Sequence, residues 1–237
     1  MTSIRFFAMM WEFQSFFITL LRFVFVLAFV SLIISSDQGE AADDIVAGRA
    51  EILTGTVTVE RTGGQETLKP GDPVFVQDRL HTGTGSSAEI VFVDESRMKL
   101  APDTGLKIVG YHYDPALKIR HAAILFIAGK ARFFVQELKE FDDRRFRVQT
   151  ETASVASRDT EFIVSYESEL PRDEVCRGGL TNVLCIENSI IVSSLEFQGR
   201  PSVLAANMIS QVCGPNLPTP PRFATAAELA RIRAGLD

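Results

Sequence analysis

Between Leu68 and Val109 the apolar residues come in short runs that alternate with polar ones, and turn formers separate each run from the next. The runs are Val74 to Val76, Ile90 to Val93, Met98 with Leu100, and Leu106 with Ile108. Gly71 and Asp72, Gly83 to Ser87, Asp94 to Ser96, and Pro102 to Gly105 lie between them. These residue types tolerate positive φ or bond their own backbone, so the chain can reverse at each. The stretch reads as tight turns joining short strands, and it holds no obvious catalytic group.

The flanks repeat the pattern. Val57 and Val59 alternate with Thr58 and Glu60, and Gly63-Gly64 marks a hairpin tip. Ala122 to Ile127 and Lys130 to Gln136 are two more predicted strands on either side of Ala128-Gly129. Glu137 to Arg145 mixes charges of both signs and reads as a solvated loop or short helix. Two further strands are expected from Phe146 to Ser165, around Ala156 to Asp159.

Two internal echoes stand out. Leu80 to Ala88 resembles Val148 to Ala156, and Gly55 to Gln77 resembles Asn188 to Gln211. A short strand unit recurring in this way suggests a coiled β architecture in which each rung covers its neighbour. After the prolines of Leu217 to Pro221, Thr225 and Glu228 form a capping box. A helix over Ala226 to Ala234 follows, stopped by Gly235, with Leu229 and Ile232 as its apolar edge.

The formal charge is -6, and no Lys/Arg block could neutralise a run of phosphates, so nucleic acid is set aside. Phe23 to Ile34 is an unbroken apolar run after Arg22. It is shorter than the ~20 residues of a spanning helix and matches a signal-peptide core. Small residues at Gly39 and Ala41 place the cut after Ala41. The alternative is an uncleaved anchor over Phe13 to Ile34, and either version puts the body outside the cytoplasm.

Residues 1–41 are thus assigned to a signal peptide or anchor, 42–215 to a mainly β domain, and 216–237 to the proline-rich segment and terminal helix. In an oxidising compartment one pair of the three cysteines is expected to be bridged, and Cys176 with Cys185 is favoured over Cys185 with Cys213. Arg177-Gly-Gly179 would turn the chain between the favoured pair.

The chemistry is sparse. His81, His112 and His121 have no indicated partners, and nucleophile-elbow, P-loop and zinc-protease motifs are absent. Two carboxylates would suffice for glycoside hydrolysis, but Asp72, Asp78, Asp94 and Asp103 sit in turn contexts. No catalytic, metal or cofactor residue is predicted.

These residues, taken together, resemble the FecR domain family of bacterial envelope proteins. The likeness runs from Gly55 to Val164 and rests on Gly71, Asp72, Thr82, Gly83, Ala88, Asp94 and Ser96, then on Arg158, Thr160 and Phe162. It implies a FecR-like β-solenoid or sandwich of short strands and tight turns outside the cytoplasm. It also implies a non-enzymatic binding or sensing module whose partner is an envelope protein or glycan, with no cofactor. Strand edges and rung-end loops are the expected contact sites. A membrane-anchored signalling subunit is the alternative, and a carbohydrate-active enzyme a further one. Family members in iron-siderophore systems carry a cytoplasmic anti-sigma domain ahead of a membrane helix, for which this chain has too few residues there, so sigma regulation is not carried over. Glu95 and Asp159 stand where the family often has glycine.

Overall fold

A computed structural model describes residues 45–168, 176–197 and 199–236, which fall within one unit spanning Asp44–Asp237. The predicted leader or anchor lies outside the described residues. In chain order the strands begin with β1 (Val46–Thr54), β2 (Val57–Arg61), β3 (Gly64–Thr67), β4 (Pro73–Phe75), β5 (Arg79–Thr82) and β6 (Ser87–Phe92). Next come β7 (Arg97–Leu100), β8 (Gly105–Asp114), β9 (Ile119–Phe134), β10 (Asp143–Gln149), β11 (Ala153–Ser157) and β12 (Glu161–Glu167). The last are β13 (Leu180–Cys185), β14 (Ser189–Ser194), β15 (Ser202–Ala205), β16 (Met208–Cys213) and β17 (Arg222–Phe223), and helix α1 (Ala226–Arg233) follows. The chain is mainly β, with one short C-terminal helix among the described residues.

Pairing divides the strands into two layers. Sheet A runs in space β4, β1, β6, β7, β9, β12, β13, β16, β17. Sheet B runs β3, β2, β5, β8, β9, β10, β11, β14, β15. Only the β9 to β10 pairing is parallel among these. Alternate residues of both sheets meet in one core that includes Val59, Leu80 and Ile124 from sheet B with Ile90, Met98 and Val164 from sheet A. Its aromatic centre links Phe92 stacked on Tyr111 at 4.6 Å, Phe146 against Phe133 at 5.9 Å, and Phe133 on Phe162 at 5.1 Å. Fully burying each such ring stabilises the fold by about 1.5–3 kcal/mol.

Strand β9 belongs to both layers. Residues 119–128 pair in sheet B and 129–134 in sheet A. Ala122, Ile124 and Phe126 face the core in the first part, Ala131 and Phe133 in the second, so the inward parity shifts by one between them. Gly129 makes the shift, with φ +95° and Thr104 so close that a Cβ would lie 2.5 Å from its Oγ1. Ala128-Gly129 therefore bends one strand, where the sequence pattern suggests two. The longer echo has a structural counterpart. β2 and β3 form a hairpin in sheet B before the chain crosses to β4 in sheet A, and β14, β15 and β16 repeat that path. In the region read as two strands from Phe146 to Ser165 there are three, because Glu151 and Thr152 also turn the chain.

The favoured cysteine pairing is overturned. Cys176 is bonded to Cys213, and Cys185 is a free, buried thiol. Gly178 and Gly179, both at positive φ, feed the chain into β13 rather than folding it back, so extended residues separate Cys176 from Cys185. Antiparallel β16 instead sets Cys213 opposite Leu180, at the end of β13 where Cys176 lies.

Candidate functional site

The residues that carry the family likeness are mostly inside, and they act as corner pieces. Asp94 is buried in the turn between β6 and β7. It accepts from the Ser96 backbone N–H at 3.0 Å, from Tyr111 Oη at 2.6 Å and from Arg120 Nη1 at 2.8 Å. Arg120 donates onward to the Arg158 carbonyl at 2.8 Å and lies over the Phe146 ring. Ser96 Oγ also accepts from the Gln136 N–H at 3.0 Å. Asp94 and Ser96 from one turn and the Arg158 backbone from another thus lock two separate corners around one buried guanidinium. Burial and the adjacent Asp94 push the Tyr111 hydroxyl well above its ordinary pKa, so it stays a donor.

Other motif residues work similarly. Thr82 Oγ1 donates to the Ala101 carbonyl at 2.6 Å and accepts from the Thr104 N–H at 3.0 Å. Gly83 N–H reaches the Thr56 carbonyl at 3.0 Å, and Ala88 lies in the core. Gly71, at φ +90°, donates to the Ala50 carbonyl, while Asp72 accepts from the Lys69 N–H at 2.8 Å. Thr160 Oγ1 holds the Ser189 carbonyl at 3.0 Å, and Phe162 is core. Asp78 and Asp103 are likewise occupied, Asp78 by Arg61 Nε at 2.9 Å and Asp103 by Thr84 Oγ1 at 2.7 Å. The structure brings Asp94 and Ser96 together with Arg158, and it leaves the aspartates considered for hydrolysis in separate turns. No group of three or more His, Cys, Asp or Glu suited to a metal occurs among the described residues.

The outer faces of the two sheets differ. On sheet A, Ile163, Leu184 and Ile209 lie in adjacent register across β12, β13 and β16. α1 covers them with Ile232, while Leu229 and Leu236 pack alongside. The predicted capping box is present at Thr225 and Glu228. At the other helix end Lys130 Nζ donates to the Arg231 and Ala234 carbonyls at 3.1 and 2.6 Å. The helix dipole and open carbonyls there favour a cation.

Sheet B has no such cover among the described residues. Register aligns Ala123, Arg147, Ala156, Ile191 and Val203 in one outward row across β9, β10, β11, β14 and β15. The next row holds Glu60, Arg79, Lys107, Leu125 and Gln149. Val109, Leu125, Ile127, Ile191 and Val203 are all exposed. Arg79 is paired with Glu60, and Arg145 with Asp143, which His121 also contacts at 2.8 Å. These two partners hold the exposed Asp143 carboxyl below its usual range. Lys107 and Arg147 have no ion-pair partner among the described residues. A flat aliphatic strip with two unpaired cations is suited to binding a partner surface. The sequence reading missed these residues; their only signal was their place on the polar side of the period-2 pattern.

Comparison with known proteins agrees with the likeness read from the motifs. Residues 78–181 match the model of the family described as FecR protein. Among solved structures, one from Parabacteroides distasonis ATCC 8503, provisionally described as an anti-sigma factor, aligns at 20% identity with a TM-score of 0.47. That alignment covers 66% of this chain and 65% of the other. A second structure so described, from the same organism, aligns at 20% identity and TM-score 0.47 over 64% and 62%. The chain spans just under two thirds of the length of these structures. No curated protein matches it.

Proposed function

We propose that this chain is an exported, non-enzymatic FecR-type sensing module of the bacterial envelope, and that it docks a protein partner on the outer face of sheet B. The observation that carries the reading is the outward row from Ala123 to Val203, in which Ile191 and Val203 are exposed, whereas on sheet A the helix covers Ile163, Leu184 and Ile209. The FecR match supports a role in signal transduction, and the apolar run before Ala42 supports an extracytoplasmic site. The recurring hairpin-and-crossover unit supports a rung-on-rung reading of the architecture.

Position-resolved photo-crosslinking in intact cells tests this. A crosslinker at Ile191 or Val203 is expected to give discrete adducts that one at Ile52, on sheet A, does not. Equal capture from both faces, or none from Ile191, would remove the docking reading. The N-terminus of protein recovered from the envelope tests export, with Ala42 as the expected first residue. An intact segment from Phe13 to Ile34 would favour an anchored signalling subunit instead.

A further inference from the structure

We infer, resting on docking at sheet B, that the partner presents an acidic segment in which two carboxylates flank an aliphatic side chain. Lys107 and Arg147 carry the argument. Their neighbours Arg79 and Arg145 are neutralised by Glu60 and Asp143, so two uncompensated positive charges remain at the middle of the strip. They do so on a chain whose net charge is -6. A local field opposed to that of the whole molecule selects an acidic partner and orients it on approach.

Register sets the spacing. Leu125 on β9 lies opposite both Lys107 on β8 and Gln149 on β10, and Arg147 is two residues before Gln149. Two inter-strand steps of about 4.8 Å and two residues of about 3.3 Å put the Cα atoms of the cations about 12 Å apart. Leu125 and Ala123 lie between them. In an extended segment, carboxylates four residues apart are separated by about 13 Å, with an aliphatic residue at the midpoint on the same face. Arg147 offers a planar fork for bidentate pairing, and Lys107 a point charge on an apolar stem.

Other occupants fit less well. The strip exposes Leu125, Ile127, Ile191 and Val203 but no phenyl, phenol or indole ring on which a sugar could stack. Its aliphatics lie flat on a sheet rather than on a protruding loop or helix that could enter a bilayer.

The test uses the mature chain and a synthetic peptide with Glu at two positions four apart and Leu midway. Controls are the Gln peptide, the Lys peptide and phosphatidylglycerol vesicles. Titration calorimetry is expected to show binding of the Glu peptide, weakened at least about 10-fold from low to high salt. The double variant Lys107→Glu/Arg147→Glu should lose about 30-fold or more and gain binding of the Lys peptide. Both sites are on the surface, and an unchanged thermal midpoint will confirm the fold. No binding of the Glu peptide, equal binding of the Gln peptide, or association with vesicles alone would each overturn the inference. If the Ile191 adduct persists undiminished in the double variant, the charge assignment fails while the docking reading stands. If no adduct forms even with the native residues, the docking reading itself fails.

Discussion

Arg120 is completely buried, and its charge is balanced by one carboxylate, that of Asp94. Such a pair adds little net stability, but breaking it leaves a dry charge that nothing compensates. Arg120→Met is therefore expected to cost about 3–5 kcal/mol in urea unfolding, and Asp94→Leu/Arg120→Met much less than the sum of the single changes. Glu95 closes the same turn at φ +64°, where an L side chain costs roughly 1–2 kcal/mol. Glu95→Gly should accordingly gain about 1 kcal/mol. The departure of Glu95 from the family pattern is legible in the sequence as a strain point only because the Asp-x-Ser turn is; Asp159, the second such departure, does not adopt positive φ. Nothing local to residue 120 announced its partner 26 residues away.

Among the elements, α1 shows how far local signals reach. Its capping box, its apolar edge and its glycine stop were readable because each is a relation among residues at most four apart. Its dock was not, because Ile163, Leu184 and Ile209 become neighbours only through the register of β12, β13 and β16. A helix of 8 residues is marginal alone and holds through that dock. Ile232→Asp should release the tail, and limited proteolysis between Pro215 and Thr225 should accelerate while the sheets keep their far-UV signal. The same rule explains the cations. Lys107 and Arg147 were visible as polar positions, whereas their lack of a counter-ion depended on which strands became their neighbours.

At the scale of the molecule, the bridge between Cys176 and Cys213 ties a sequence separation of 37 residues. In the chain-entropy picture a loop of that size is worth about 4 kcal/mol, so Cys176→Ser/Cys213→Ser should lower the unfolding free energy by that order. The pairing was misread because Arg177-Gly-Gly179 resembles a hairpin tip, and only the β13 to β16 register brings the true partner close. Native protein should show no reactive thiol toward Ellman's reagent, and one after denaturation without reductant.

The remaining thiol sets a pH limit. Burial pushes Cys185 from its ordinary value of 9.0 to about 11. Below pH 9 both folded and unfolded chains keep the proton and the contribution is constant. As pH rises from 9 to about 11 the unfolded chain releases it first, so stability falls. Tyr166, its hydroxyl raised by burial and by Glu151, adds to the loss above pH 10. Cys185→Ala should flatten the alkaline slope of the thermal midpoint even if it lowers the midpoint itself.

Because β9 contributes its backbone to both sheets, neither layer can lose its central pairing while the other keeps a whole strand. Hydrogen exchange would register this as a single opening event. The Ile124 and Phe133 amides, one in each layer, should exchange at a common free energy that shifts by the same amount when either layer is perturbed. A ligand held on one face would then slow exchange on the opposite face without touching it.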